Sequence, residues 1–329
     1  MAQTFQHEVV IIGAGPAGMC AGMYAGRAML DAVVLERGAP GGELLNTELI
    51  EDYPGFERVL GYELAQKFSD HATKFGAQIK TGVTVQTLRK RADGMFEAMT
   101  ETGDTYVSPT AIITAGGTPV KLGVPGELEY AGKGVSYCAI CDGAFFRNQV
   151  IAVVGGGDAA AEEADFLTRY AEKVYLIHRR GELRASKILQ QRVFENPKII
   201  PIWHSVVERV EGDAQGLVRT LHLQNVQTGD RQELAATGMF VFIGFRPNTG
   251  IIEGHIDHDE MGYLKTDVNM QTSIPGLFAA GDLRAQLTRQ VTTAVGDATT
   301  AAIAAEKYLK GLADGQKTPQ IAGAGGYTS

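Results

Sequence analysis

Hydrophobic and polar positions along this chain fall into blocks that repeat. After His7-Glu8 the residues Val9-Val10-Ile11-Ile12 run without a polar break, the mark of a strand buried on both faces. A turn follows at once, Gly13-Ala14-Gly15-Pro16-Ala17-Gly18, and then an Ala-rich helix. A second apolar strand, Ala32-Val33-Val34-Leu35, ends at Glu36. Residues 62–75 carry the spacing of an amphipathic helix, and short strand-like runs lead to Ala111-Ile112-Ile113-Thr114. After Gly116-Gly117 and Pro119 the pattern begins again. Val150-Ile151-Ala152-Val153-Val154 reads as a strand, Gly155-Gly156-Gly157-Asp158-Ala159-Ala160 as a turn, and residues from Ala161 as a helix rich in Ala and Glu. The next strand, Lys173-Val174-Tyr175-Leu176-Ile177, ends in His178-Arg179-Arg180. A strand from Phe240 to Ile243 meets a second crossing at Gly244 and Pro247, a short strand ends in Ala279-Ala280-Gly281-Asp282, and 291–309 reads as a helix.

The repeat predicts an α/β fold of two Rossmann-like dinucleotide-binding domains. The two Gly/Pro crossings make the second an insertion in the first: 1–117 and 246–329 form one domain, 118–245 the other. Residues 312–329 read as a flexible Gly-rich tail, with Tyr327 inside it.

Composition narrows the class. The 329 residues are 44% hydrophobic and 21% charged, an ordinary globular balance with room for two cores. A net charge of -8, without a long Lys/Arg run, argues against nucleic acid as a partner. Residues 9–26 are uncharged for 18 positions, the length of a short membrane helix, yet Gly and Pro16 interrupt them. A strand, turn and helix explain them better than a span or a signal peptide, so neither a membrane nor export is expected and the cytoplasm is the natural compartment.

Each turn matches a dinucleotide fingerprint in the right context, after a strand and before a helix. In the first, Gly13 allows the tight turn, Gly15 lets backbone approach a pyrophosphate, and Gly18 lets the helix pack, with Pro16 and Ala17 opening it. Glu36, about twenty residues on, suits ribose hydroxyls. The second turn places Gly155, Gly157, Asp158, Ala159 and Ala160 equivalently, but its second strand ends in Arg179 and Arg180, with Arg184 close behind. Guanidinium groups there suit a 2′-phosphate at any working pH. The pair is read as FAD first and NADPH second, with His178 gaining weight only from its arginine neighbours. Asp282 suits either the sugar-alcohol chain of a flavin or the cap of the next helix.

Two of the three cysteines, Cys138 and Cys141, form a CxxC pair between the two turns, a spacing that permits a reversible disulfide. Half of a zinc site is the bland alternative, but no second CxxC completes it, and no metal is expected. A purely structural bridge across so short a loop would constrain little. Cys20 reads as a buried, inert thiol. These residues do not order the two cysteines.

GxGxxG at 13–18, CAxCDG at 138–143, GGGDAAxEEA at 155–164, HRRxxxR at 178–184, AAGD at 279–282 and the pair Arg289-Gln290 occur in this order over about residues 5–310. Together they resemble the low-molecular-weight NADPH-dependent thioredoxin reductases. The resemblance implies FAD in the first domain, NADPH in the inserted one, a homodimer, and thioredoxin as electron acceptor. It implies that Cys141 lies against the flavin, that Cys138 attacks the partner's disulfide, and that Asp142 manages thiol protons. It also places Gly42, Glu43, Asp52, Gly281, Asp282, Arg289 and Gln290 at the FAD. Four features depart from the family's usual pattern: Glu43, Asp52, Thr288, and Thr114 in Thr114-Ala115-Gly116. An ionised Glu43 or Asp52 near the isoalloxazine would lower the flavin potential.

Nicotinamide and Cys141 both belong to the inserted domain, and each must come within about 3–3.5 Å of one flavin. Rotation of that domain on the crossings near Gly117 and Gly244 is therefore expected between half-reactions. The competing readings are a flavoprotein of the same build serving another disulfide partner, a dithiol oxidase, and a redox sensor; the arginines argue against an oxidase.

Overall fold

In the computed structural model, which describes residues 2–47, 49–319 and 321, the chain divides into two compact units, Met1–Thr118 with Arg246–Ser329 and Pro119–Phe245. In the first, Val9–Ile12 is the middle strand of a five-stranded parallel sheet ordered Leu277–Ala279, Thr110–Ile113, Val9–Ile12, Ala32–Leu35, Gln78–Lys80. Cover on both faces explains why this strand has no polar position. Val9 and Ile11 point into a core shared with the helices Pro16–Arg27 and Val291–Ala313. Val10 and Ile12 point the other way, onto Leu88, Phe96 and Tyr106 of a four-stranded sheet built from Thr4–Gln6, Thr105–Ser108, Phe96–Thr100 and Val85–Lys90. Truncating a fully buried residue such as Ile11 to Ala would cost about 2–5 kcal/mol.

The second unit repeats the plan. Its five parallel strands are ordered Val135–Ser136, Gly238–Phe242, Val150–Gly155, Lys173–Ile177, Ile199–Ile202. Ile151 and Val153 pack on the helix Asp158–Leu167 and on Val193 of the helix Lys187–Glu195. Ala152 and Val154 pack on Val207, Leu221 and Leu223. These last residues come from a three-stranded antiparallel sheet, Ser205–Gly212, Val218–Asn225 and Arg231–Ala235. The sequence reading missed this sheet, although one of its faces alternates apolar residues.

Other departures are local. The amphipathic helix is Gly61–Lys74, and Gly42–Asn46 forms a 3₁₀ turn. The last helix runs a turn further than expected, to Ala313. The expected tail is partly packed: Pro319 is buried and Ile321 rests on the first core. Gly311 permits this, since a Cβ there would stand 2.6 Å from Pro319. Residues 320 and 322–329, including Tyr327, lie outside the described residues. Among the described residues no helix is long and apolar enough to cross a membrane, and no group of His, Cys, Asp and Glu could hold a metal ion.

Candidate active site

The first glycine turn is built from three different constraints. Gly13 has φ +104°, and a Cβ there would lie 2.7 Å from the Thr114 carbonyl oxygen. Gly18 lies so close to Gly13 that a Cβ would stand 1.7 Å from its carbonyl oxygen. Gly15 has only the Gly42 Cα nearby, at 3.9 Å, so its backbone stays approachable. It is the N-cap of Pro16–Arg27, and no side chain caps that end. Free amides and the helix dipole there fit a pyrophosphate. Thr114, one of the departures, explains itself: its hydroxyl bonds the carbonyls of Ile12 at 2.9 Å and Gly13 at 2.8 Å, pinning the turn. Glu36 accepts from the Ala14 amide at 2.7 Å and the Gly38 amide at 2.8 Å. Its carboxylate is thereby oriented, with lone pairs left for hydroxyls.

Around this turn the first unit gathers several of the expected residues. The Gly41 amide donates to the Ala14 carbonyl at 2.8 Å, bringing Gly42 and Glu43 to the turn. A Cβ on Gly281 would stand 3.1 Å from that of Ala17. Asp282 is half-buried, and its carboxyl pKa is raised to about 6. Burial is the main cause; Arg289 opposes it, while Glu43 and Asp297 reinforce it. Asp282 does not cap the next helix, whose N-cap is Gln290, with the Gln290 amide donating to the Thr293 hydroxyl at 3.1 Å. Arg289 donates to the Asp282 carbonyl at 3.3 Å and lies 3.9 Å over the Tyr263 ring. Glu43 keeps an exposed edge, yet the protein around its carboxyl pushes its pKa up, against Asn46 and Arg37. Asp52 is exposed and is not among the charges felt by Asp282. Thr288 is exposed, and nothing in the structure explains it. Sequence reading missed Asp297, which accepts from the Gly281 amide at 3.2 Å and pairs with Arg284 at 2.6 Å.

The second turn is crowded differently. A Cβ on Gly155 would meet the Phe242 carbonyl oxygen at 2.3 Å and Ala160 at 2.5 Å, so Ala160 closes the turn where the first has Gly18. Gly157 has nothing within 4 Å and is the uncapped N-cap of Asp158–Leu167, again an approachable helix end. Asp158 accepts from the Ser186 amide at 2.6 Å, while Ala159 is exposed. His178 is buried, and its ring would lie 2.2 Å from a Cβ on Gly156. Burial lowers its pKa, and Arg184, Arg180 and Arg179 push in the same direction, while a hydrogen bond to Gly155 opposes them. A neutral ring packed on the turn positions it, whereas the three arginines stay exposed around it. Among the described residues no carboxylate pairs with any of the three, and the cluster fits a phosphate dianion.

Cys138 and Cys141 are joined in a disulfide with their Cα atoms 5.4 Å apart. Cys138 is the N-cap of the single turn Ala139–Asp142, and the Cys141 amide donates to its Sγ at 3.2 Å. Ala139 is fully buried and anchors the turn. A Cβ on Gly143 would press 2.9 Å from Leu167. Asp142 follows Cys141 directly and is half-exposed. Cys20, by contrast, is buried: it donates to the Val295 carbonyl at 3.4 Å, and burial pushes its thiol pKa up. That combination makes it inert.

Residues 7–298 match the pyridine nucleotide-disulphide oxidoreductase family. A curated thioredoxin reductase of Bacillus subtilis (strain 168) is 44% identical over 313 residues, covering 95% of this chain and 98% of the relative. One from Listeria innocua is 45% identical, covering 93% and 95%. Among solved structures, a thioredoxin reductase of Lactococcus lactis superposes with a TM-score of 0.89 at 44% identity, covering 92% of this chain and 99% of that one.

Proposed function

The chain belongs to the pyridine nucleotide-disulphide oxidoreductase family, and we propose that within it the protein is a thioredoxin-disulfide reductase, moving two electrons from NADPH through FAD and the Cys138–Cys141 disulfide to oxidised thioredoxin. The observation that carries this is a disulfide in the same unit as a dinucleotide turn followed by three exposed arginines that pair with no carboxylate among the described residues, in a chain that matches curated thioredoxin reductases over nearly its whole length. The residues fit both cofactors. Gly13, Gly15, Gly18 and Glu36, with Gly42, Glu43, Gly281, Asp282, Arg289 and Gln290, would hold FAD. Gly155, Gly157 and Ala160, with Arg179, Arg180 and Arg184, would hold NADPH. When bound, the pair supplies hydride acceptance and two-electron delivery to the disulfide.

The protein's own part is to manage sulfur and protons. Once the disulfide is reduced, the Cys141 amide aimed at Cys138 Sγ stabilises a thiolate there. That thiolate attacks the partner's disulfide and forms a mixed disulfide, and the partner's released thiolate takes a proton. Cys141 then attacks Cys138 Sγ, expelling the second partner thiolate and restoring the bridge. Asp142 supplies and recovers these protons. Residue exposure does not order the sulfurs the same way, since Cys141 is the more exposed. Trapping decides it: Cys141→Ser should accumulate a mixed disulfide with thioredoxin through Cys138, and Cys138→Ser should not. The opposite pattern would exchange the roles.

The reading includes rotation of the inserted unit on the two crossings, where Gly116 (φ +56°) and Gly244 (φ +116°) are left-handed with nothing within 4 Å of a built Cβ. A cross-link between the units should stop turnover while FAD stays bound, and unimpaired turnover would remove this step. A homodimer in the cytoplasm completes the proposal, and light scattering of the holoprotein tests the assembly. The decisive experiment is anaerobic stopped-flow reduction with NADPH or NADH, followed by oxidised thioredoxin. Flavin bleaching by NADPH that thioredoxin reverses is expected. Bleaching it cannot reverse would point to another disulfide partner.

A further inference from the structure

The strand that delivers Cys138 is only Val135–Ser136, two residues at the edge of the second sheet, paired with Met239 and Phe240 on one side and, at Val135 alone, bridged to Ala131 on the other. So short an edge cannot by itself hold a sulfur to within the few tenths of an ångström that an exchange reaction requires. Two further attachments supply the missing rigidity. Ser136, buried at 4% exposure, places its hydroxyl 3.1 Å from the Cys138 amide and 3.1 Å from the Cys138 carbonyl, engaging both backbone groups. The residue between them, Tyr137, donates its hydroxyl to the Glu127 carboxylate at 2.8 Å.

Glu127 has no exposed surface. A fully buried carboxylate is costly unless each oxygen is satisfied. Here Oε1 accepts from the Leu122 amide at 2.8 Å and from Tyr137, and Oε2 accepts from the Gly123 amide at 2.6 Å. Leu122 and Gly123 lie just after the first crossing, which Pro119 begins within this unit. A single buried side chain therefore joins the inner end of the crossing to the residue before Cys138. Tyr137 stays a donor, because burial and Glu127 both raise its pKa far above the ordinary phenol range.

We propose that Glu127, acting through Tyr137, is a positioning residue for the redox pair: it holds Cys138 where Cys141 can close the disulfide, and it makes the first crossing and the cysteine turn move as one body. The inference rests on the disulfide-reductase reading, and it specifies how that site is kept in register. Pre-organisation raises the effective concentration of one thiol at the other, which favours the disulfide over the dithiol.

Tyr137→Phe is the informative variant, because it removes one hydroxyl and leaves Glu127 its two backbone donors. In the FAD-loaded holoenzyme, equilibrated with a glutathione redox buffer and assayed by thiol alkylation and mass spectrometry, the disulfide should become about fivefold easier to reduce, roughly 20 mV upward. In stopped flow, flavin reduction by NADPH should keep its wild-type rate, while kcat/KM for thioredoxin falls several-fold. A merely structural tyrosine would lower the melting temperature and leave the redox equilibrium in place. An unshifted equilibrium in Tyr137→Phe overturns the proposal. Glu127→Gln, which keeps an acceptor for Tyr137, should lie between wild type and Tyr137→Phe if it folds; an equilibrium shifted further than that of Tyr137→Phe would count against the tyrosine as the link. The equilibrium is read without thioredoxin, so a wild-type enzyme that fails to reduce thioredoxin would count against the acceptor alone.

Discussion

The two units place a similar turn in the same kind of sheet and differ in charge at the end of the strand that follows the first helix. In the first unit that end carries Glu36, and backbone amides of Ala14 and Gly38 already engage both its oxygens. In the second it carries Arg179 and Arg180, exposed and without a carboxylate partner among the described residues. One site is thus pre-oriented to accept hydroxyl donors, and the other holds uncompensated positive charge for an anion. Under the proposed function, scaffold and discrimination are separable: glycines and apolar strands make the former, and two or three side chains would make the latter.

The turns also close differently, and the largest expected effect tests that difference. Gly18→Ala forces a methyl 1.7 Å from a backbone oxygen, which should cost on the order of 3 kcal/mol and abolish FAD retention. The matching change in the second unit, Ala160→Gly, removes a methyl instead and should cost about 1 kcal/mol with NADPH binding intact. Urea unfolding and the flavin absorbance of the purified variants measure both. If Gly18→Ala kept its flavin, the two turns would be more alike than their packing indicates.

Next in size is the charge at the strand end. Replacing Arg179 and Arg180 together with Gln should raise the KM for NADPH by about 100-fold and leave that for NADH within about threefold, since each charge-assisted hydrogen bond is worth about 1.5–3 kcal/mol. Equal loss for both cofactors would mean that these arginines support the fold and do not read the 2′-phosphate.

The carboxyls of the first unit predict a pH dependence. Asp282 titrates near 6 when folded against an ordinary value of 3.8, so the folded state holds its proton more tightly than the unfolded state. Its contribution is therefore most favourable below about pH 4 and is lost as pH rises through about 6, by on the order of 2 kcal/mol in FAD-free protein. Asp282→Asn should flatten that part of the stability profile. Glu43→Gln should move it to lower pH, because Glu43 is one of the groups raising Asp282. A profile unchanged in Glu43→Gln would separate the two carboxyls.

The smallest effect concerns helix ends. Pro16–Arg27 is followed by Met29 at φ +57° and 91% exposure, a left-handed position that favours glycine. Met29→Gly should stabilise the protein by about 0.5–1 kcal/mol, read as a higher melting temperature with unchanged flavin content.

Much of the site was legible because its chemistry is local. Gly13, Gly15, Gly18 and Glu36 signal through spacing alone, as do Cys138 and Cys141, and the structure finds each set within a single unit. Asp52 entered only through the resemblance, and its exposed side chain lies outside the charges that act on Asp282. His178 gained weight in the sequence only from its arginine neighbours, and tertiary burial lowers its pKa and sets it against Gly156. Asp297, Ser136, Tyr137 and Glu127 had no signal, since a polar side chain that the fold buries against a partner looks the same in sequence as a solvated one.

The sequence by itself determined what hydrophobic period and glycine placement can encode: two strand–turn–helix units, the insertion of one in the other, the dithiol, and the opposite charges at the two strand ends. These are properties of neighbouring residues and of backbone sterics. Tertiary structure alone decided which polar groups lose water and which partners they find. That is why Asp282 has a raised pKa, why His178 is neutral, and why a buried glutamate ten residues before Tyr137 holds the tyrosine beside Cys138. Desolvation and long-range hydrogen bonds depend on what the rest of the chain packs around a group, and no local pattern records that.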